Sequence, residues 1–189
     1  MKMQDFVAAY RATFSDFPKY AVWSGDGVVR TSAMQSYIYP KLADLLKLFL
    51  ICEHTADAAF YDYQEIKRVS DSGFAFPDPK SAKLYLEHEN KVGISQKEMA
   101  DLAKSGVNLN VLVTYQHGSV EQQLQVLNNL YPTILGSNQN HISEFLVVLP
   151  GRQHDDLHGL VTGKGWVTED LWRFYGWDAT SNEFKYMDI

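Results

Sequence analysis

Hydrophobic and polar residues alternate with two different periods along the chain, and each period indicates one kind of element. Apolar residues at every third or fourth position predict a first helix over 3–13 and a second that begins at 36 or 40 and runs to about 52. Apolar residues at every second position predict strands over 58–66 and 83–89. Turn-forming residues separate these two strands, so they predict a hairpin with a long connection.

The second half of the chain carries clearer helix signals. Ser95 followed by Glu98 is a capping-box pattern that predicts a helix, and Gly106 marks the end of that helix. The near-continuous apolar run 109–115 then predicts a central strand that is covered on both faces.

A second capping pattern, Ser119 with Gln122, predicts the next helix. Its buried stripe is expected to consist of Val120, Leu124, Leu127, Tyr131 and Ile134. The apolar segment 145–149 predicts another strand. The order strand, helix, strand favours a parallel pair joined by a right-handed crossover.

The C-terminal segments 172–177 and 183–187 predict an edge hairpin, within an extension over about 166–189. An antiparallel hairpin together with a parallel pair predicts an α/β fold with a mixed central β-sheet flanked by helices. A chain of 189 residues with 46% hydrophobic content is long enough to close one sizeable core. We therefore expect a single domain over 1–189, with its core over about 36–149.

Composition narrows the classes of function. The formal net charge of -6 argues against coating nucleic acid or an anionic membrane through bulk electrostatics, so any phosphate contact must be local or metal-mediated. Cys52 is the only cysteine, which excludes an intrachain disulfide and a cysteine-rich zinc site. No stretch approaches about 18 consecutive apolar residues. These features predict a cytoplasmic protein with no membrane partner.

Acidic residues concentrate on the strand predicted over 83–89. Strand geometry places Glu87 and Glu89 on one face, roughly 6 to 7 Å apart, where they either face solvent or share a cation. Asp57, at the start of the preceding strand, would join them across the hairpin. Three carboxylates suit Mg²⁺ or Mn²⁺. Such an ion activates water and polarises phosphoryl oxygens, which is the chemistry of phosphodiester hydrolysis.

With these residues in this order, the chain resembles the PD-(D/E)xK restriction-endonuclease-like nuclease superfamily. Asp57 matches the family's aspartate, Glu87 its acidic residue, and Glu53 the acidic residue that some members supply from the preceding helix. Glu89 stands at the position usually held by lysine, as in the Glu-x-Glu variants of the superfamily. Ala56 replaces the proline of the motif.

The resemblance implies a restriction-endonuclease-like αβββαβ core and a Mg²⁺- or Mn²⁺-dependent endonuclease that acts on DNA. Asp57, Glu87 and Glu89 would be catalytic, and Asp57, Glu87 and Glu53 would bind the metal. Cleavage of both strands of a duplex would use a homodimer.

Four further residues are candidates for substrate contacts. Asn90 and Lys91 follow the acidic pair and would reach a phosphate or replace the missing lysine. Tyr115 and Gln116 lie at the carboxyl end of a central strand, where α/β sheets place ligand-binding groups. A polar turn before Gly93 is the favoured explanation for Asn90 and Lys91, whereas an ordinary strand-to-helix loop explains Tyr115 and Gln116 equally well.

Other interpretations remain open. Asp78, in the only Pro-Asp dipeptide, competes for the aspartate role, although aspartate is common in turns. His154 and His158 have the i, i+4 spacing of a transition-metal site, with His141 as a third ligand. A non-catalytic restriction-endonuclease-like module that binds a protein partner or has a regulatory role would also agree with the acidic charge balance.

Overall fold

The protein is described by a computed structural model that covers residues 1–15, 31–52, 56–73, 76–89, 96–114, 119–136, 144–151 and 172–188. The described strands form one seven-stranded mixed sheet in the order β1-β2-β3-β4-β5-β6-β7, and helices cover both of its faces. This agrees with the predicted α/β class and mixed sheet. None of the described helices is long and apolar enough to cross a membrane.

Two helices cover the first face of the sheet. Helix α1 (Met3–Ser15) agrees with the predicted first helix. Helix α2 (Tyr39–Leu46) is preceded by a π-helical turn (Met34–Ile38). Their buried side chains pack on the sheet in one cluster that includes Phe6, Tyr10, Ile38, Leu42, Phe60, Leu84, Leu86, Val111 and Trp172.

The second predicted helix was too long. Lys47 adopts a left-handed conformation (φ 56°) and ends α2, although the apolar sequence continues. The next apolar residues form strand β1 (Phe49–Cys52), which pairs antiparallel with β2 (Ala58–Tyr61). Helical spacing alone could not separate these elements, because a short apolar run fits both periods.

The predicted strand over 58–66 was wrong beyond Tyr61. Asp62, in an extended conformation, precedes helix α3 (Tyr63–Ser72), which ends at Gly73 with φ 75°. No residue of α3 is fully buried. Tyr63 and Ile66 therefore belong to an amphipathic surface helix. Farther along the chain, a 3₁₀ turn (Pro79–Ser81) precedes strand β3 (Leu84–Glu89). Strands β2 and β3 are antiparallel, as the hairpin prediction requires.

The parallel part of the sheet agrees with prediction. Strand β3 is parallel to β4 (Leu109–Thr114), and β4 is parallel to β5 (Glu144–Pro150). Helices α4 (Gln96–Lys104) and α5 (Val120–Gly136) cover the second face of the sheet. Gly106, with φ 73°, follows α4 as expected.

The C-terminal hairpin extends the sheet. Strand β6 (Trp172–Asp178) pairs antiparallel with β5, and β7 (Glu183–Tyr186) pairs antiparallel with β6 at the sheet edge. Asn182 takes a left-handed conformation (φ 53°) in the intervening turn, which asparagine tolerates better than most residues.

Candidate functional site

Strand β3 places its acidic residues as the alternation predicts. Leu84 and Leu86 are fully buried in the first cluster, and Tyr85 packs in the second, beneath helices α4 and α5. Glu87 and Glu89 continue the Tyr85 face and are partly buried. These carboxylates therefore lie on the side of the sheet that α4 and α5 cover.

Asp57 contacts this strand directly. The antiparallel register of β2 and β3 pairs Ala58 with Leu86, so Asp57 stands opposite Glu87. The Asp57 carboxylate accepts a hydrogen bond from the backbone N–H of His88 at 2.8 Å. In return, the backbone N–H of Asp57 donates to the carboxylate of Glu87. These two bonds, one to His88 and one to Glu87, hold Asp57 beside Glu87.

The carboxyl of Glu87 has an unusually high pKa for a glutamate. Burial is the largest cause that raises the pKa of its carboxyl, and the negative charge of Asp57 adds to it. The hydrogen bond from the Asp57 backbone opposes the shift, and the resulting pKa is about 7. A carboxyl with a pKa near 7 is partly protonated at neutral pH. A cation bound beside it would favour the ionised form.

Helix α4 adds two carboxylates that the sequence interpretation missed. The charges of Glu98 and Asp101 also raise the pKa of Glu87. Glu98 is partly buried in the first turn of α4, and Asp101 is an exposed residue that pairs with Lys97 at 3.6 Å. Glu98 attracted notice only as a capping residue. Its i, i+3 spacing to Asp101 on a helix that follows the acidic strand was the available signal.

The remaining predicted residues have different outcomes. Glu89 lies in register with Thr114 of β4, one strand repeat beyond Glu87. Asp78 caps the 3₁₀ turn, where its carboxylate accepts from the Lys80 N–H at 3.0 Å, so it performs the turn role. The other candidates lie outside the described residues: Glu53, Asn90, Lys91, Tyr115, Gln116, His141, His154 and His158.

Within the described segments, no group of three or more His, Cys, Asp and Glu side chains has the arrangement of a metal site. The structure therefore supplies the Asp57 and Glu87 pair, with Glu98 nearby, as its acidic centre. The sequence matches no known family model, and no curated protein or solved structure shows significant similarity to it.

Proposed function

We propose that this protein is a restriction-endonuclease-like enzyme that hydrolyses phosphodiester bonds in DNA with Mg²⁺ or Mn²⁺. The observation that carries the proposal is the pairing of Asp57 and Glu87 on neighbouring strands, where the Asp57 carboxylate accepts from the His88 N–H and the Asp57 N–H bonds to the Glu87 carboxylate. Proteins rarely hold two carboxylates this close under partial burial without a functional reason, because each charge disfavours the other.

The donor chemistry of the pair fits a hard divalent cation. Mg²⁺ is commonly held by one or two protein carboxylates and keeps several waters, so Asp57 and Glu87 are a sufficient protein contribution. Held there, the ion would polarise a phosphoryl oxygen and lower the pKa of a bound water.

The chain's own groups have separate roles in this proposal. Asp57 is fixed by the His88 N–H and provides an oriented carboxylate. Glu87 gives up its proton when the cation binds, because a nearby positive charge lowers a carboxyl pKa. Glu89, on the same face of β3, stands where the resemblance places lysine. As a carboxylate it would accept a proton from the attacking water.

The order of elements supports the proposed family. Helix α2, strands β1 to β3 in antiparallel sequence, helix α4 and the parallel strand β4 follow the αβββαβ order that the resemblance implies. Helix α3 is an insertion between the second and third strands. In this arrangement Asp57 precedes the second strand and Glu87 lies on the third.

A second candidate is a non-catalytic member of the same fold that binds a protein partner. The net charge of -6 and the glutamate at position 89 favour it, because DNA affinity depends largely on lysine and arginine contacts to phosphates. In that case the protein would neither respond to Mg²⁺ nor cleave DNA.

Nicking of supercoiled plasmid DNA in Mg²⁺ or Mn²⁺ tests the proposal. The wild type should nick, and Glu87→Gln should reduce the rate by at least about a hundredfold, because it removes a ligand without changing the side-chain shape. Glu183→Gln, on the distant edge strand β7, is the matched control and should retain activity. A wild type without metal-dependent nicking, or an active Glu87→Gln, would contradict the proposal.

A further inference from the structure

Thr114 is a buried polar residue beside the acidic face. Its exposed fraction is 0%, and its Oγ1 atom makes no hydrogen bond in the part of the chain that the structure describes. Thr114 ends strand β4 in parallel register with Glu89, and it continues the face of Leu112, which is paired with Glu87. Its hydroxyl therefore lies on the acidic face, at the carboxyl end of the strands.

Gln123 is a second residue of the same kind. It is 5% exposed, and its Nε2 atom makes no hydrogen bond to any described residue. Gln123 lies one helical turn before Leu127, which packs on the second face of the sheet. Helix α5 connects the parallel strands β4 and β5, so its first turns lie above the carboxyl end of β4. Gln123 is thus at the same end and on the same face as Thr114.

Buried polar groups without partners are uncommon, because each loses its hydration without gaining a hydrogen bond. Here two such groups occur at the carboxyl end of two parallel strands, which is where open α/β sheets bind ligands. The N-terminal turns of α4 and α5 lie at that end as well, and helix N-termini favour anions. A hydroxyl and an amide are both suitable donors to a phosphate oxygen.

We propose that the Thr114 hydroxyl and the Gln123 side-chain amide bind phosphate oxygens of the substrate next to the carboxylates of Asp57 and Glu87. The substrate class rests on the proposed function, which supplies the phosphodiester. The two residues are positioning residues that orient the phosphate, and they carry out no proton transfer.

The test measures thermal stability and binding of thymidine 5′-monophosphate in Mg²⁺, with thymidine as the control that lacks the phosphate. The variants are Thr114→Val and Gln123→Met, which keep side-chain size, and Thr114→Ser, which keeps the hydroxyl. Thr13→Val is the matched stability control: Thr13 is equally buried, but its hydroxyl donates to the Tyr10 carbonyl at 2.6 Å.

Without ligand, Thr114→Val should raise Tm by about 2 to 4 °C, whereas Thr13→Val should lower it. Binding of the nucleotide should weaken by about tenfold or more in Thr114→Val and Gln123→Met, and Thr114→Ser should restore most of it. Thymidine should not bind measurably to any of these proteins.

Two results would overturn the inference. One is loss of stability in Thr114→Val similar to that in Thr13→Val, which would show that the hydroxyl supports the fold. The other is nucleotide binding that is absent in the wild type or unchanged in both variants. Plasmid nicking separates this inference from the proposed function. If both variants nick plasmid DNA as fast as the wild type, the proposed nuclease function stands and the proposed phosphate site is wrong. If nucleotide binding depends on Thr114 but the wild type does not nick DNA, the proposed phosphate site stands and the proposed nuclease function is wrong.

Discussion

The carboxylate of Asp57 accepts a hydrogen bond of 2.8 Å from the backbone N–H of His88, 31 residues away in sequence. This bond joins the start of β2 to β3 beside Glu87. The backbone N–H of Asp57 bonds in turn to the Glu87 carboxylate. The two carboxylates are thus positioned by the pairing of β2 with β3.

Two substitutions of Asp57 should distinguish the effect of its hydrogen bond from the effect of its charge. Asp57→Ala leaves the His88 N–H without its acceptor, and we expect the free energy of unfolding to fall by about 1 to 3 kcal/mol. Asp57→Asn keeps an oxygen acceptor and removes the charge, so the pKa of Glu87 should fall towards its usual value. Chemical denaturation and an NMR titration of Glu87 measure the two effects. Equal destabilisation by both variants, with an unchanged Glu87 titration, would contradict this account.

The raised pKa of Glu87 predicts a pH-dependent stability. The folded state binds its proton with a pKa of about 7, against a usual value of 4.5. Proton binding by Glu87 therefore stabilises the folded state fully below about pH 4.5. This part of the free energy of unfolding, about 3 kcal/mol, is lost as the pH rises through 7. Glu87→Gln lacks it, so the variant should gain stability relative to the wild type between these limits. A stability difference that does not vary with pH would show that Glu87 titrates normally.

Local sequence signals predicted the second half of the fold well. The capping box of α5 is present in both directions: Ser119 N–H donates to Gln122 Oε1 at 3.0 Å, and Gln122 N–H donates to Ser119 Oγ at 3.3 Å. Leu127, Tyr131 and Ile134 are buried, and Val120 and Leu124 pack against the same cluster. Here capping, periodicity and burial all favour the same element, so the sequence alone was sufficient.

The same cap gives a prediction for stability. Ser119→Ala should lower the free energy of unfolding by about 1 kcal/mol, because the Gln122 N–H loses its acceptor. Ser119→Asp, which can cap as well, should retain most of it. Urea denaturation of the three proteins measures the difference. Equal stability of Ser119→Ala and the wild type would mean that the cap does not contribute to the free energy of unfolding.

Local signals failed where tertiary structure decides. Lys47 ends α2 through a left-handed conformation that its side chain does not signal, so the apolar residues of β1 were taken as helix. One contact of the proposed site was predicted: the strand order indicated that Asp57 would meet Glu87. For Glu98 the only signal was its spacing to Asp101, and for Thr114 and Gln123 there was none, because the burial of these residues depends on how α4 and α5 pack on the sheet.

The C-terminal hairpin has its own electrostatic prediction. A hydrogen bond from Lys185 Nζ at 2.6 Å, with a further bond from the Thr180 N–H at 2.9 Å, lowers the pKa of Asp178. The ionised Asp178 carboxylate therefore stabilises the hairpin above the usual carboxyl pKa, and this stabilisation is lost on acidification below it. Asp178→Asn should speed amide hydrogen exchange at Thr180. Glu183→Gln is the control, because Glu183 lies farther from Lys185, at 3.8 Å. Unchanged exchange in Asp178→Asn would show that the Asp178 carboxylate does not protect the Thr180 N–H.

The most direct test of the central claim is a Mg²⁺ titration of thermal stability above pH 7, with wild type, Glu87→Gln and Glu183→Gln compared at constant ionic strength. If Asp57 and Glu87 bind the ion, saturating Mg²⁺ should raise Tm of the wild type and of Glu183→Gln by about 5 to 10 °C, as for a ligand at roughly a hundred times its Kd. Glu87→Gln should show almost no increase. A wild type whose Tm does not respond to Mg²⁺ or Mn²⁺, or a Glu87→Gln variant that responds equally, would contradict the account.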